Sequence, residues 1–302
     1  MDKIAIIIVH YNTDEETKAC LESLNEIKHE NFDYRVILVD NASKDNFVLP
    51  KKIKNTELIR SDTNLGFTGG NNLGFRYANQ HYNPDYFLLL NSDTLVAADF
   101  LEKLYQCLQE NPKLGLVSPK IYFAAGDEFH RESYSKNNLG KVIWFAGGVI
   151  DWDNLQTFHL GVDEVDRGQF ETISTFDYAS GCCLLVRREA LAASGIFDDD
   201  YFLYYEDTDL SLRLRANNWQ LGFCPSAVIW HKNGGSTQGS GSPLQNFYLT
   251  RNRLLFFSRY GRGLTKLRAY RLARRLYFHG DQVEKKAARN FFLKRFGKEV
   301  VV

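Results

Sequence analysis

Three strand-like runs in the first hundred residues stop at polar clusters suited to ligand chemistry: "VHYN" (9–12), "VDNAS" (39–43) and "LLLNSDTLV" (88–96). In the last, an apolar run breaks into Asn91-Ser92-Asp93. A buried, unpaired carboxylate costs several kcal/mol or takes up a proton, so Asp93 requires open water or a cation. A divalent ion held by a diphosphate needs only one or two protein carboxylates, because phosphate and water supply the other oxygens. One Asp on a rigid strand end suits that role. Capping of a helix after Thr94 is the other reading, and the sequence leaves both open.

A second acidic cluster lies in "FLYYEDTDLSLRLR", residues 202–215. Glu206, Asp207 and Asp209 gather where an aromatic run meets an amphipathic helix. The helix dipole favours acids in a first turn and accounts for one or two of them. It does not account for Tyr204 and Tyr205 beside them. A carboxylate in an aromatic pocket near another acid has a raised pKa, the tuning of a general base. Asp207 is the first choice for that base, with Glu206 and Asp209 orienting or capping.

Other residues carry two readings each. The segment "NLGFTGGNN" (64–72) precedes a helix, so its amides suit a phosphate, yet it lacks both the Walker A Gly-Lys-Ser/Thr and a G-x-G-x-x-G pattern. A tight turn explains it equally well. Asp40 reads as a helix cap or as a hydrogen-bond acceptor for a base or ribose, and Tyr11 as a core-closing ring or a stacking surface. His231, in "VIWHKNGGST", is a satisfied polar residue or a neutral imidazole ligand.

The first 120 residues alternate apolar runs with amphipathic stretches, the pattern of a mostly parallel α/β sheet covered by helices. Strands are expected over 4–10, 34–40, 57–60, 86–91 and 114–118, and helices over 14–25, 71–80 and 99–110. The carboxyl ends of such strands share one edge, where ligands sit. Residues 120–176 predict loops and short antiparallel strands laid over that crevice. A strand over 182–187, a helix over 207–217 and short strands over 221–224 and 227–231 follow. A Gly/Ser-rich hinge, 233–243, leads to helices over 244–260 and 264–296.

A chain of 302 residues holds one large domain with an appendage, or two small ones. Five cysteines with no C-x-x-C spacing argue against a disulfide framework or zinc knuckle and fit a reducing cytosol. The apolar run 4–9 is too short for a signal-peptide core, and no segment reaches the roughly 18 apolar residues of a membrane span. The net charge of zero conceals an asymmetry: residues 251–302 carry 15 Lys/Arg against three acids, Asp281, Glu284 and Glu299. Without a basic-aromatic RNA motif or a recognition-helix pattern, anionic lipid or a phosphorylated ligand fits this excess better than nucleic acid. A solvated basic helix packed on the acidic body is the plainer reading.

Together, 9–12, 39–43, 64–72, 88–96, "YEDTDLSLR" (205–213) and "WHKNGGS" (230–236) resemble a family-2 inverting glycosyltransferase of the GT-A fold, in particular the bacterial rhamnosyltransferase-like subgroup. The resemblance covers about residues 3–236. It implies a GT-A domain over 1–236, with a nucleotide-binding half to about 120 and an acceptor half beyond, followed by the hinge and basic helical region over 237–302. By motif, it implies that Tyr11 and Asp40 hold the nucleotide base, that Asn12 beside them binds the nucleotide-sugar, and that Asn64, Gly66, Gly69 and Asn71 belong to the segment closing over the nucleotide. Ser92 and Asp93 close the D-x-D-like motif, in which Asn91 replaces the first acid. Asp93 and His231 then hold Mg²⁺ or Mn²⁺ on the diphosphate, Asp207 of the E-D motif is the base, and Glu206 is its catalytic neighbour. Residues 177–188 line the sugar or acceptor side, with Cys182 and Cys183 mainly structural. The implied donor is a nucleotide-diphospho-sugar, dTDP-rhamnose first, and the acceptor a glycan or polyprenyl-diphosphate-linked glycan of cell-surface polysaccharide and cell-wall synthesis. UDP-galactose, UDP-N-acetylhexosamine and UDP-galactofuranose are alternative donors, and a non-catalytic nucleotide-sugar binder is the rival from another class. The basic region is expected to hold the enzyme peripherally on the anionic inner face of the plasma membrane, and a homodimer is left open.

Overall fold

The computed structural model describes residues 1–172, 175–232 and 241–299, so residues 233–240 of the expected hinge lie outside the described residues. The strands are β1 (Asp2–His10), β2 (Phe32–Asp40), β3 (Thr56–Arg60), β4 (Tyr86–Leu90), β5 (Thr94–Val96), β6 (Leu114–Phe123), β7 (Ile143–Phe145), β8 (Gly148–Asp151), β9 (Gln156–His159), β10 (Cys183–Arg187) and β11 (Gln220–His231). The helices are α1 (Asp14–Asn25), α2 (Gly66–His81), α3 (Phe100–Glu110), α4 (Arg188–Ser194), α5 (Glu206–Ala216), α6 (Pro243–Tyr260), α7 (Leu264–His279) and α8 (Gln282–Phe292).

Near-continuous Ile/Val/Leu strands require cover on both faces, and the sheet has it. Among the described residues, nine strands join in the order β3-β2-β1-β4-β10-β6-β11-β5, with β7 beside β6. β3, β2, β1 and β4 run parallel, β10 enters antiparallel between β4 and β6, and β11 runs parallel to β6. β8 and β9 form a separate antiparallel hairpin. Along β1, Ile4, Ile6 and Ile8 face a core containing Cys20, Leu21, Leu24 and Leu104, while Ala5 and Ile7 face another containing Phe75, Ala78, Leu210 and Leu214. Each large aliphatic side chain so buried contributes about 1.5–3 kcal/mol. The first core also takes Leu255, Phe256 and Phe257, so α6 packs into the body of the protein.

Four local features differ from expectation. The helix placed at 71–80 begins at Gly66, because glycines let it approach the sheet closely. A Cβ at Gly70 would lie 2.8 Å from the Val9 side chain, and one at Gly74 2.5 Å from that of Ile7. The two short strands at 221–231 are one, β11, with a register shift between Cys224 and Val228. The helix expected over 264–296 divides at Gly280, where Asp281 and Glu284 form a capping box that starts α8. Finally, Asp93 is followed by strand β5 rather than a helix, which removes helix capping as its explanation.

Candidate active site

The three polar clusters interlock at one sheet edge. His10 and Asp40 are register partners at the ends of β1 and β2. Asn12, exposed and at φ 55°, donates its backbone N–H to Ser43 Oγ (3.0 Å), and its Oδ1 accepts the Lys44 N–H (2.8 Å). Thr13 Oγ1 lies 3.3 Å from Ser92 Oγ, closing the link to the end of β4. Tyr11 stands half-buried at this rim. Asp40 is 1% exposed: one oxygen accepts the Ser43 N–H (2.9 Å) and the other pairs with Arg60. Arg60 was not singled out from the sequence.

The glycine-rich segment folds as the start of a helix. Gly69 and Asn71 lie inside α2, and Asn71 Nδ2 donates to the Phe67 carbonyl (2.8 Å), a bond within the helix. The first-turn amides are already engaged: Gly66 N–H by Asn64 Oδ1 (2.8 Å) and Thr68 N–H by the Phe202 carbonyl (3.2 Å). The segment is therefore a packed helix start, with two of its first-turn amides already partnered within the protein. Asn41 pins it, donating to the Gly66 carbonyl (3.0 Å) and accepting from Leu65 N–H (2.9 Å).

Antiparallel pairing of β5 with β11 sets His231 opposite Thr94 and beside Asp93. His231 Nε2 lies 3.2 Å from Asp93 Oδ1, and Asp93 is 9% exposed. Adjacent corners of an octahedron with bonds of about 2.1 Å are about 3.0 Å apart, so these two atoms are spaced to share one ion. His231 Nδ1 has no hydrogen-bond partner among the described residues, so no contact there fixes the tautomer that Nε2 must adopt as a ligand. No group of three or more His, Cys, Asp or Glu side chains gathers among the described residues to hold a metal alone. One carboxylate and one imidazole suit a cation that brings its own phosphate and water oxygens.

Asp207, in the first turn of α5, is tied to the segment 181–182, which in turn pairs with Asn91, two residues before Asp93. Its Oδ2 accepts the Gly181 N–H (2.9 Å), and the next residue, Cys182, accepts the Asn91 N–H through its carbonyl (2.9 Å). Both carboxylates lie near enough to Cys182 for their charges to push its thiol pKa up, though burial is the larger cause. Asp207 is half-buried, and burial raises its pKa above the ordinary carboxylate value, opposed by hydrogen bonds from Gly181 and Thr208. Glu206 is 5% exposed, Oε2 has no partner among the described residues, and burial followed by the Asp207 charge drives its pKa well upward. Asp209, itself 0% exposed, is bound by Arg213 Nε (2.7 Å), Tyr260 Oη (2.6 Å) and the buried Tyr201 Oη (3.2 Å).

Between Asp93 and Asp207 stands an aromatic wall. The Trp144 ring lies 4.5 Å from that of His231 and 4.7 Å from that of His159, which in turn lies 6.2 Å from Tyr178. Burial brings the His159 pKa down to about 4, leaving it neutral, and Tyr178 feels the Asp207 charge. These residues sit on β7, β9 and the approach to β10, and only the tertiary fold brings them together.

The profile of Glycosyl transferase family 2 matches residues 5–195. Among characterised relatives, the low-salt glycan biosynthesis hexosyltransferase Agl10 of Haloferax volcanii is 23% identical over 84% of this chain and 75% of its own. The N-acetylglucosaminyl-diphospho-decaprenol L-rhamnosyltransferase of Mycobacterium tuberculosis is 24% identical over 78% of each chain. A solved structure of GalNAc-T7 with UDP, GalNAc and Mn²⁺ shares the fold at a TM-score of 0.63 and 13% identity, covering 99% of this chain and 56% of that one. The chain is a glycosyltransferase with the GT-A fold and belongs to glycosyl transferase family 2.

Proposed function

We propose that the chain transfers a sugar, first L-rhamnose from dTDP-rhamnose, to a hydroxyl of a glycan or polyprenyl-diphosphate-linked glycan with inversion at the anomeric carbon. The observation that carries this reading is the pairing of Asp93 with His231 on the rim that Gly181 and Cys182 share with Asp207. Tyr11, Asn12 and Asp40 would receive the base, with Arg60 holding the Asp40 carboxylate. Asp93 and His231 would orient Mg²⁺ or Mn²⁺ on the diphosphate, where a divalent cation offsets charge on the departing phosphate. Asp207 takes the proton of the acceptor hydroxyl as that oxygen bonds to the anomeric carbon, and the bond to the diphosphate breaks with its electron pair leaving on the phosphate oxygen. No covalent enzyme intermediate is required. Trp144, His159 and Tyr178 offer the acceptor sugar a ring-lined wall. The rhamnosyl and lipid-diphosphate chemistry in the name of the mycobacterial relative supports this donor and acceptor class.

A panel of nucleotide sugars tests the reading through metal-dependent release of nucleoside diphosphate. Release from dTDP-rhamnose should exceed that from UDP-galactose, UDP-N-acetylhexosamines and UDP-galactofuranose by about tenfold or more, a difference of roughly 1.4 kcal/mol in barrier. A UDP-sugar at the head of the panel would reassign the donor. No release from any of them, with nucleotide binding intact, would make the chain a sugar-nucleotide binder instead.

We also propose that α7 and α8 rest on an anionic bilayer surface. Leu264, Leu267, Phe278, Phe292 and Leu293 are exposed among Arg271, Arg274, Arg275 and Arg289, and an open groove of about 600 Å³ runs between the two helices. No helix of the described residues is long and apolar enough to cross a membrane. Each basic residue near an anionic surface is worth about 1 kcal/mol, so liposomes containing phosphatidylserine should retain the protein at physiological salt and release it as salt is raised. Failure to be retained while a soluble acceptor is still glycosylated would refute membrane attachment and leave the transferase standing.

A further inference from the structure

The backbone just before Glu206 and Asp207 is costly to form. Phe202, Tyr204 and Tyr205 have φ of 63°, 71° and 73°, the left-handed region, where bulky residues are strained and the surroundings must offset that strain. Such a turn has no helix or strand ladder to satisfy its carbonyls. Two adjacent side chains of α6 do so, Arg251 and Asn252, both 0% exposed. Asn252 Nδ2 donates to the carbonyls of Tyr201 (2.9 Å), Leu203 (2.7 Å) and Tyr204 (2.9 Å). Arg251 donates to the carbonyls of Asp200 (3.0 Å), Tyr201 (2.9 Å) and Gly297 (2.6 Å), and its Nε donates to Asn252 Oδ1 (2.9 Å), which fixes the direction of the Asn252 amide. From the opposite side α2 closes on the same turn. Thr68 N–H donates to the Phe202 carbonyl, and a Cβ at Gly66 would stand 2.4 Å from that oxygen.

We propose that Arg251 and Asn252 are positioning residues for Asp207: they hold the turn 202–205 in its left-handed form, so that α5 starts at Glu206 and presents Asp207 at the crevice rim against Gly181. The inference rests on Asp207 as the base. It assigns to α6, which lies beyond the span matched by the family, a part in the chemistry. The Asp209 cluster fastens the same two helices together. Arg259 and Tyr260 at the end of α6 bind the Asp209 carboxylate two residues beyond Asp207, so α6 grips both the turn and the helix it launches. The strain sits directly before the reacting acid, where misplacement by 1 Å costs on the order of 100-fold in rate.

The full chain carrying Asn252→Ala tests this, with Asn252→Ser as a milder partner whose hydroxyl can still serve one carbonyl. In Asn252→Ala, hydrogen–deuterium exchange over 201–208 should rise by about tenfold or more while that of β4 is unchanged, as expected for a local opening. The kcat for transfer should fall about 100-fold with the donor KM within about two-fold of the parent, and Asn252→Ser should fall between. A merely structural residue would lower the melting temperature and leave kcat of the folded protein intact. Unchanged exchange over 201–208, an unchanged kcat, or global unfolding of both variants would overturn the proposal. If the parent itself turns over no nucleotide sugar, the transferase reading fails by that result, and the exchange rates alone decide whether Asn252 holds the turn.

Discussion

Asp207→Asn will abolish sugar transfer, with kcat lowered by at least about 1,000-fold, within the range by which general bases act. The amide is nearly isosteric and can still accept the Gly181 N–H through its oxygen, giving up only the Thr208 bonds at its other end, so the link to the rim is kept. What it lacks is a lone pair basic enough to take the hydroxyl proton. Binding of the nucleotide sugar should change by less than about threefold, because the proposed reading puts the donor diphosphate at Asp93. Transfer by the variant at the parental rate would remove Asp207 from the chemistry. The pH profile provides an independent check. Burial raises the folded-state pKa of Asp207 above its unfolded value, so the folded chain holds that proton more tightly. The basic form, and with it activity, is therefore lost as pH falls through a value above the ordinary carboxylate range. The same sign means that ionising Asp207 destabilises the fold as pH rises from the unfolded pKa through the folded one. Asp207→Asn should consequently match or exceed the parent in melting temperature at pH 7.

Asp93→Ala should weaken donor binding and catalysis together. Titration calorimetry with nucleoside diphosphate should show the parent binding about 100-fold more tightly when Mn²⁺ or Mg²⁺ is supplied, consistent with the several kcal/mol available from charge stabilisation at a divalent ion. In Asp93→Ala this increment should largely vanish, because His231 is left as the sole side chain of the pair. Chelation of the parent should reproduce the variant's affinity, and adding metal back should restore only the parent. Equal metal dependence in both proteins would separate Asp93 from the cation and break the reading of the rim. Asp207→Asn is the contrasting case, losing turnover while keeping the metal increment.

The polar strand ends were legible because period and composition announce them: β1, β2 and β4 end within a residue of the expected positions, and their clusters meet. What escaped was tertiary. Residues 64–72 carry turn-forming composition, yet three of the four glycines in α2, Gly66, Gly70 and Gly74, serve close packing on the Phe202 turn and on Ile7, Val9 and Val39, a use that local signals do not distinguish from a loop. Strand β5 has three residues, too short to register as a period, but it brings His231 to Asp93. Asp209 looked equivalent to its neighbours until a helical turn carried it to the buried face. Arg251 and Arg253 were counted as surface charge, whereas Arg251 is fully buried and Arg253 donates to the carbonyls of Asn154 and Leu155. The capping box at Asp281 was readable and was missed in a basic stretch.

The antiparallel insertion of β10 bears on how the polypeptide reaches its native state. Residues 86–90 and 114–123 provide the strands on either side of it, and the piece that fills the gap is translated some sixty residues later. At roughly 5–20 residues per second, a nascent chain therefore spends several seconds with two bare apolar edges side by side. Such edges template pairing with other chains. Long-range closure of this kind is slow, so yield during synthesis will depend on how well that interval is shielded.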